Sequence, residues 1–319
     1  MTATPNPNHI LVTGGCGFIG ANLVPMLEER GYAIRVLDNL SKGDAAFLDG
    51  TAADIRIGDI RDRAAVAAAL EGVDAVIHLA AFGSVVESVA DPAENFDVNA
   101  RGTFIMLDEC RKQGIGRFIF ASTGGALIGN AKPPVDETSL PRPISPYGSS
   151  KLCGEAYCSS FAASYGMNIT ALRFANVIGP QSWHKKGAVT AFAKSIMECR
   201  PISIFGDGSA TRDFLVVRDL CNGIRLALEG NLPGFNPIHL ASGREMSVKE
   251  LARLICTAAG KPDHPIEFLD KRAGEVERNF ASYDRAASML GFRPQHTLEE
   301  GLATTWGWFL TRQRSTEPM

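Results

Sequence analysis

The first 180 or so residues alternate short apolar runs with segments whose apolar residues recur at helical spacing. Short runs rich in Val, Ile, Leu and Phe are typical of strands that are covered on both faces. They occur at residues 9–14, 33–38, 55–59, 75–80, 117–122 and 169–174. Between them, stretches such as 22–31 and 62–72 have the apolar period of helices. Because parallel strands need crossover connections, this order predicts an α/β fold with a doubly wound parallel sheet.

The alternation breaks down after about residue 178. Two loops rich in Gly and Pro and one further strand-like run follow, at residues 177–187, 205–213 and 236–242. We therefore predict a first domain of residues 1–178, to which the chain returns at about 214–242. Residues 179–213 and 243–319 would then form a smaller α/β C-terminal lobe.

Composition narrows the class of protein. The chain has 319 residues, of which 45% are hydrophobic, with a net charge of −3 and a pI of about 6.1. It therefore lacks the basic field that nucleic-acid binding needs. The N-terminal stretch has no basic segment followed by an apolar one, and no apolar run reaches the roughly 20 residues that a bilayer requires. We expect a cytosolic protein.

Cysteine and histidine spacing gives no sign of a metal site. The seven cysteines include no Cys-x-x-Cys pair, and most lie in apolar-periodic segments, so we expect reduced, largely buried thiols. No two of the six histidines stand four residues apart. The sequence therefore predicts no metal.

A glycine-rich loop, TGGCGFIG at residues 13–20, follows the first strand directly and opens a helix. Its Gly14, Gly17 and Gly20 fit G-x-x-G-x-x-G, which permits a tight turn and brings backbone N–H groups close to a pyrophosphate. Phe18 and Ile19 lie at the helix start, where the helix dipole is positive. An ordinary tight turn is the alternative, but the strand–loop–helix context favours a Rossmann-type dinucleotide-binding domain.

An acidic residue stands where a dinucleotide's ribose would lie. Asp38 ends the second strand, 18 residues beyond Gly20, and can accept hydrogen bonds from the ribose hydroxyls while repelling a 2′-phosphate. With its neighbour Asn39 it predicts NAD rather than NADP as the cofactor. Asp59 and Ile60, after the third strand, would border the adenine, although a surface turn explains them almost as well.

Tyr147 and Lys151 stand four residues apart just after a proline, so a helix beginning there would place both side chains on one face. Free tyrosine, with a pKa of about 10, is a poor base at neutral pH. A lysine ammonium and a positive nicotinamide ring would lower that pKa. A hydroxyl from the fifth strand, Thr123 or Ser122, would hold the substrate oxygen beside the phenol. The alternative is a packed tyrosine with a solvated lysine.

A series of motifs runs in order through nearly the whole chain: TGGCGFIG, LDNLSKG, GDIRD, VIHLAA, DPAENFDVNARGT, FIFASTGGALIG, SPYGSSK, LRFANVIGP, GDGSATRDFLVVRDL and LEEGLATTWGWF. With these motifs the chain resembles the extended short-chain dehydrogenases/reductases, and among them the nucleotide-sugar epimerase/dehydratase group. The resemblance implies bound NAD, a nucleotide-sugar substrate such as a UDP-hexose, and a homodimer. The dimer would pair the helices that follow Asn99 and Tyr147.

The resemblance also implies roles for further residues. Those that would border the cofactor, with Lys151, are Leu79, Ala80, Ala81 and Asn99. Those that would contact the substrate are Ser84, Asn176, Arg212, Arg272 and Asn279. Planar guanidinium groups suit a diphosphate, in agreement with the two arginines, although each arginine alone is more often a surface ion-pair partner. Asn279 would help to decide whether a 2-N-acetyl group fits, and its intermediate size leaves that question open.

The residues just after the fifth strand differ between enzymes of the group that catalyse different reactions. Dehydratases typically carry Thr-Asp-Glu there and decarboxylases a Glu, whereas this chain has Thr123, Gly124, Gly125 and Ala126. The similarity therefore implies a 4-epimerase that works through a transient 4-keto sugar. Another nucleotide-sugar enzyme of this scaffold, such as a dehydratase, a reductase or an epimerase at a different carbon, is the alternative, and a catalytically silent NAD-binding protein is a third.

Two positions depart from the pattern of the group. Ile128 precedes Gly129 where a tyrosine is usual, so one hydroxyl on the substrate side is missing. Counted back from Gly129, the usual catalytic Ser or Thr falls on Gly124, which indicates one extra residue in this stretch. We therefore assign the catalytic hydroxyl to Thr123, with Ser122 as the alternative.

Overall fold

The computed structural model describes residues 7–271 and 277–316. Its strands are β1 His9–Thr13, β2 Ala33–Asp38, β3 Asp54–Ile57, β4 Ala75–His78, β5 Arg117–Thr123, β6 Asn168–Phe174, β7 Asn176–Ile178, β8 Ile202–Phe205, β9 Thr211–Arg212, β10 Phe214–Val216, β11 Phe235–Leu240, β12 Met246–Ser247, β13 Ile266–Leu269 and β14 Arg278–Asn279. Its α-helices are α1 Phe18–Glu28, α2 Arg63–Leu70, α3 Val85–Ala90, α4 Pro92–Phe96, α5 Gly102–Lys112, α6 Gly125–Ile128, α7 Pro146–Tyr165, α8 Ala188–Met197, α9 Val217–Gly230, α10 Val248–Ala258, α11 Asp284–Leu290 and α12 Leu298–Thr316. A 3₁₀ turn spans Ala45–Leu48, and a π-helical turn spans Asp97–Arg101.

A seven-stranded parallel sheet forms the centre of the molecule, in the order β3-β2-β1-β4-β5-β6-β11. The predicted Rossmann-type doubly wound sheet is thereby confirmed. The strand order reverses beside β1, whose Thr13 pairs with Leu37 of β2 on one side and with His78 of β4 on the other. Ligands of such sheets bind outside the carboxyl ends of the strands at this switch point. The glycine loop begins there.

Helices cover both faces of the sheet. On one face the core joins buried residues of α1, α9 and α11, such as Leu23, Ile224 and Leu290. On the other face it joins α2, α5 and α7 through residues such as Val66 and Met106. Strands covered on both sides explain the nearly continuous apolar runs in the sequence.

The chain returns to the sheet late in the sequence. β11 pairs in parallel with β6 along its whole length, from Phe235 opposite Ile169 to Leu240 opposite Phe174. The rest of the C-terminal half builds small sheets, β8 with β13 and β9 between β12 and β14. Helices α8, α10 and α12 enclose a separate apolar core with them, as predicted for an α/β lobe.

Helix α7 begins where the sequence indicates. Ser145 caps it by accepting the Gly148 N–H at 3.2 Å, and Pro146 occupies the first turn, where its missing N–H costs nothing. The helix ends at Gly166, whose φ of +69° is left-handed. Tyr147 and Lys151 therefore lie in the first two turns, on one face.

Candidate active site

The glycine loop packs backbone against backbone. Gly14 has a φ of +69°, and its N–H donates to the Leu37 carbonyl oxygen at 2.9 Å. A Cβ on Gly14 would stand 2.7 Å from the Ala80 nitrogen, and a Cβ on Gly20 would stand 2.4 Å from the Gly15 Cα. Side chains therefore cannot replace these hydrogens without moving backbone.

Helix α1 starts directly behind this loop. Gly17 precedes its first residue, Phe18, and no side chain caps the helix. The first N–H groups of α1 therefore face the loop without a side-chain acceptor, at the positive end of the helix dipole. This arrangement fits a dinucleotide pyrophosphate, which is the ligand predicted for Gly17, Phe18 and Ile19.

Asp38 stands beside the loop at the end of β2 and is buried. Its carboxylate accepts the Cys16 N–H at 3.0 Å and the Leu40 N–H at 2.8 Å. Burial raises the pKa of Asp38, and these two hydrogen bonds oppose that rise. A carboxylate has about four acceptor positions, so Asp38 keeps capacity for ribose hydroxyls. Its position fits the predicted preference for NAD.

The segment after β3 is held by an ionic contact. The Asp59 carboxylate accepts from Arg61 at 2.8 Å and from the Asn39 side chain at 2.8 Å, and Arg61 lowers the pKa of Asp59. Ile60 is buried in the core beside Gly102. The side chains of Asn39 and Asp59 thus hold each other in place, and the predicted contact of this segment with the adenine stays a prediction.

The strip after β4 runs alongside the glycine loop. The Leu79 N–H donates to the Thr13 carbonyl oxygen at 3.1 Å, and the Ala80 N–H donates to the Thr13 hydroxyl at 3.2 Å. Thr13 also bonds to the buried His78 ring at 2.7 Å, and burial lowers the pKa of His78 to about 3. The neutral imidazole therefore helps to hold Leu79, Ala80 and the following Ala81 beside the loop.

Asn99 lies in the π-helical turn and is buried. Its Oδ1 accepts the Phe82 N–H at 2.7 Å, while its Nδ2 donates to the Phe82 carbonyl at 3.3 Å and to the Ser150 hydroxyl at 3.0 Å. The amide therefore makes hydrogen bonds within the protein, and its predicted position beside the cofactor stays a prediction. These bonds tie the segment after β4 to helix α7.

Tyr147 and Thr123 come together at the end of β5. Burial raises the pKa of the Tyr147 phenol to about 12, and the neighbouring Thr123 side chain opposes that rise. The lowering of this pKa expected from Lys151 is therefore absent in the protein alone. The position of Thr123 supports its assignment as the hydroxyl beside the phenol.

Lys151 is buried one turn further along α7. Its ammonium donates to the Ala121 carbonyl oxygen at 2.8 Å and lies 4.9 Å from the centre of the Phe120 ring. Burial lowers the pKa of Lys151 to about 8, and the nearby Cys158 and Glu155 oppose that change. At neutral pH Lys151 is therefore mostly charged and supplies a positive field close to the phenol.

Ser122 belongs to a buried network. Its hydroxyl donates to the Glu155 carboxylate at 2.6 Å, and Glu155 also accepts two hydrogen bonds from Arg173, at 3.0 and 2.8 Å. All three residues are buried. Because the Ser122 proton is committed to Glu155, the structure does not favour Ser122 as the catalytic hydroxyl.

Gly124 and Gly125 are packed by side chains from other elements. A Cβ on Gly124 would approach the His239 ring at 3.1 Å, and a Cβ on Gly125 would lie 2.0 Å from the Asn279 amide nitrogen. Asn279 comes from β14, where it stands opposite Arg212 of β9. The C-terminal lobe therefore places Asn279 and Arg212 close to the end of β5.

The remaining predicted substrate residues lie on separate elements. Ser84 caps α3 by accepting the Glu87 N–H at 3.2 Å. Asn176 is exposed on β7, and its side chain donates to the Asp213 carbonyl at 3.1 Å. Arg212 is half-buried and donates to the Thr211 carbonyl at 2.8 Å. Arg272 lies outside the described residues.

Sequence reasoning missed Glu155, Arg173 and His239. Glu155 carried a signal, since Tyr147, Lys151 and Glu155 repeat at i, i+4 and i+8 of one helix and so share a face. His239 carried none, because its contact with Gly124 joins strands that are distant in sequence.

Two negative findings apply to the described residues only. In residues 7–271 and 277–316 no helix is long and apolar enough to cross a membrane. The same part of the chain contains no group of three or more His, Cys, Asp or Glu residues placed to hold a metal ion.

The parallel sheet with its glycine loop, Asp38 and the Tyr147–Lys151 pair defines an NAD-dependent enzyme of the short-chain dehydrogenase/reductase type. Residues 10–239 match the NAD dependent epimerase/dehydratase family, and the chain belongs to this family. NAD is accordingly its cofactor, and the glycine loop and Asp38 fit it.

Individual relatives cover almost the whole chain. The UDP-glucose 4-epimerase of Mycolicibacterium smegmatis is 35% identical over 315 residues, 95% of this chain and 99% of the relative. The structure of the Thermotoga maritima UDP-glucose 4-epimerase with UDP-glucose matches with a TM-score of 0.90 and 36% identity, covering 96% of this chain and 99% of that one. A dTDP-glucose 4,6-dehydratase from Streptomyces venezuelae with bound NAD also has a TM-score of 0.90, at 30% identity over 97% of this chain and 99% of that one.

Proposed function

We propose that the protein is an NAD-dependent epimerase that inverts the configuration at C4 of a UDP-hexose through a transient 4-keto sugar. Near end-to-end similarity to UDP-glucose 4-epimerases supports this substrate class. The dehydratase relative has the same fold, so the fold alone does not distinguish the two reactions. The distinction rests on the residues after Thr123.

The observation that carries the proposal is the packing of Gly124 and Gly125. Elimination of water needs an acid and a base beside the tyrosine, and this stretch provides no carboxylate. The His239 ring and the Asn279 amide already occupy the space into which side chains at these two positions would extend. Oxidation and re-reduction at a single carbon need no such pair, so this packing favours epimerisation.

In the proposed reaction, Tyr147 is the base that removes the proton from the sugar O4, and Thr123 hydrogen-bonds to the same oxygen. When held by the glycine loop, Asp38 and Lys151, NAD would supply the hydride acceptor for C4 and the hydride donor for the return step. Arg212 and Asn176 hold the diphosphate while the 4-keto sugar turns over, which fits the affinity of guanidinium groups for phosphate. Tyr147 then gives its proton back to O4.

Lys151 assists by charge and by hydrogen bonding. An ammonium has three N–H donors, and one of them is used by the Ala121 carbonyl. The others can hold a ribose hydroxyl, while the positive charge stabilises the phenolate form of Tyr147. Since the pKa of Lys151 is about 8, this assistance is available at neutral pH and fades as the pH rises above that value.

We propose that the two functional units follow the predicted division, with residues 1–178 and 214–242 binding NAD and residues 179–213 and 243–319 binding the nucleotide sugar. The parallel pairing of β11 with β6 supports the return segment. The position of Asn279 against Gly125 supports a substrate site between the two units. A cytosolic location stays a prediction from the N-terminal sequence.

We also propose a homodimer through α5 and α7. Phe104 of α5 lies 5.4 Å from Tyr157 of α7, and Phe161 lies 5.0 Å from Tyr165, measured between ring centres. Tyr157 and Tyr165 are 41% and 54% exposed, which is high for aromatic residues in a row. Light scattering on the purified protein tests this, and Tyr157→Glu should shift a dimer towards monomer.

The experiment that tests the function is incubation of the purified protein with UDP-glucose and, separately, with UDP-N-acetylglucosamine. Chromatography with mass detection then resolves the products. An isomer of unchanged mass supports the proposal, and the better substrate answers the question about the N-acetyl group at Asn279. A product that has lost water would instead identify a dehydratase, and conversion of neither sugar would refute both substrates.

A further inference from the structure

We propose that Glu155, held by Arg173 and Ser122, is a positioning residue that sets helix α7 on β5 and β6 so that Tyr147 meets Thr123. This inference rests on the proposed function, because Tyr147 and Thr123 are its reacting groups. Glu155 itself touches neither of them and is not a catalytic residue.

Three side chains of α7 dock on three consecutive residues of β5. Lys151 donates to the Ala121 carbonyl, Glu155 accepts from Ser122, and the Tyr147 phenol lies beside the Thr123 side chain. The helix residues stand four apart, so they form one stripe along α7. The contact of Glu155 with Ser122, the middle of the three strand residues, therefore helps to fix the position of α7 along β5, and with it the contacts of Lys151 and Tyr147.

Arg173 extends the contact to the next strand. It stands opposite Ser122 in the pairing of β5 with β6, and it binds both oxygens of the Glu155 carboxylate. Bidentate pairs of this kind restrict both distance and orientation. Asn176, the proposed substrate contact, begins β7, separated from the end of β6 by one residue. Glu155 thus joins the three elements that carry the proposed catalytic and substrate groups.

Burial makes the Glu155–Arg173 ion pair sensitive to the loss of either partner. The Glu155 and Arg173 side chains are each 5% exposed, and Arg173 Nη1 has no hydrogen-bond partner among the described residues. A buried charge that loses its partner has no water to replace it. The ion pair therefore holds Glu155 and Arg173 in fixed positions, and we expect a substitution of either residue to shift helix α7.

Glu155 also acts on Lys151 through its charge. The titratable or charged groups that act on Lys151 or are acted on by it are Glu155 and Cys158 from α7 itself and His78 from β4, and Tyr147 stands one helical turn before it. Of these, Glu155 is the carboxyl group, and it raises the pKa of Lys151. Arg173 and its strand neighbour His239 stand beyond Glu155, and burial keeps His239 neutral.

The test is a set of variants in the NAD-loaded enzyme, assayed for epimerisation across pH. Glu155→Gln keeps the shape and removes the charge. We expect kcat to fall about 10-fold or more with little change in KM, because small displacements of reacting groups have large kinetic effects. We also expect the alkaline limb of kcat to move to lower pH, since Lys151 loses a negative neighbour. Glu155→Asp keeps the charge and should leave this limb in place.

Asp219→Asn is the matched control. Asp219 is a buried carboxylate on α9 that accepts two backbone N–H groups at 3.0 Å and the His296 ring at 2.7 Å, outside the proposed site. We expect this variant to melt at a lower temperature while kcat and the pH profile of the folded enzyme stay as in the wild type. A merely structural role for Glu155 would make Glu155→Gln behave in the same way.

Three results would overturn the inference. One is a folded Glu155→Gln enzyme with kcat within two-fold of wild type and an unmoved alkaline limb. Another is a crystal structure of this variant in which Tyr147 still meets Thr123 as before. If Glu155→Gln does not fold, the test is made with Ser122→Ala, which keeps the Glu155–Arg173 ion pair. An unchanged kcat in Ser122→Ala would be the third result that overturns the inference. An inactive wild type would refute the proposed function instead, and the crystal structure would still test the positioning.

Discussion

Replacing Gly14 by alanine adds one methyl group where β1 turns into the glycine loop, next to the segment that follows β4. Two costs arise. The φ of +69° is a left-handed conformation that glycine adopts freely and that costs an L-residue about 1–2 kcal/mol. In addition, the new Cβ would lie 2.7 Å from the Ala80 nitrogen and 2.9 Å from the Ala80 Cα.

The second cost depends on whether Ala80 can move. Its N–H is bound to the Thr13 hydroxyl, so the backbone at Ala80 is held from the β1 side. Overpacking of this kind costs about 1–3 kcal/mol. We therefore expect Gly14→Ala to lose about 2–5 kcal/mol in the free energy of unfolding, which is about 3–7 °C in Tm for a chain of this size.

Gly72→Ala separates the two costs. Gly72 has the same φ of +69°, and a Cβ there would meet nothing within 4 Å. This variant should therefore lose only the conformational part, about 1–2 kcal/mol.

The assay is thermal unfolding of the NAD-free proteins, repeated with NAD, which raises the Tm of any variant that binds it. Gly72→Ala should keep the full NAD-induced rise, and Gly14→Ala should lose most of it. Equal losses of Tm in both variants, or a normal NAD response in Gly14→Ala, would refute the argument from close packing.

Three further predictions concern the site. Tyr147→Phe should fold and retain NAD but lower kcat by about 10²–10⁴-fold, as measured in the epimerisation assay, because the proton acceptor is gone; near wild-type turnover would contradict its role. Gly125→Ala and Asn279→Ala should be non-additive in kcat/KM, since the second change removes the amide that the new Cβ would strike at 2.0 Å, and additive effects would show that the two residues do not touch. Asp38→Asn removes the charge that repels a 2′-phosphate, so NADP should raise the Tm of this variant more than that of the wild type, and an unchanged response to NADP would count against the assignment.

The sequence by itself determined the parallel sheet and the glycine loop that follows its first strand. The strands of the seven-stranded sheet coincide with the strand-like runs of the sequence, because strands buried on both faces are apolar along most of their length. Only the edge strand β3 among them is mostly exposed. The glycine loop and the Tyr147–Lys151 spacing were also readable, since both depend on local geometry, a tight turn in one case and one helical turn in the other.

Only the tertiary structure decided how the side chains are used. The sequence left Thr123 and Ser122 as alternatives, and the difference lies in contacts to residues of α7, where Tyr147 meets one hydroxyl and Glu155 takes the other. The hydrogen bonds of the Asn99 amide to Phe82 and Ser150 likewise join segments that are distant in sequence.

The pKa of Tyr147 and the packing around Gly124 and Gly125 also depend on tertiary contacts. Burial raises the pKa of Tyr147 to about 12, against the lowering expected from the spacing to Lys151, because desolvation depends on the whole surrounding fold. The space at Gly124 and Gly125 is set by His239 and Asn279, which lie more than one hundred residues further along the chain. Periodicity reports on neighbours within a turn or a strand, and contacts over such separations leave no pattern in a single sequence.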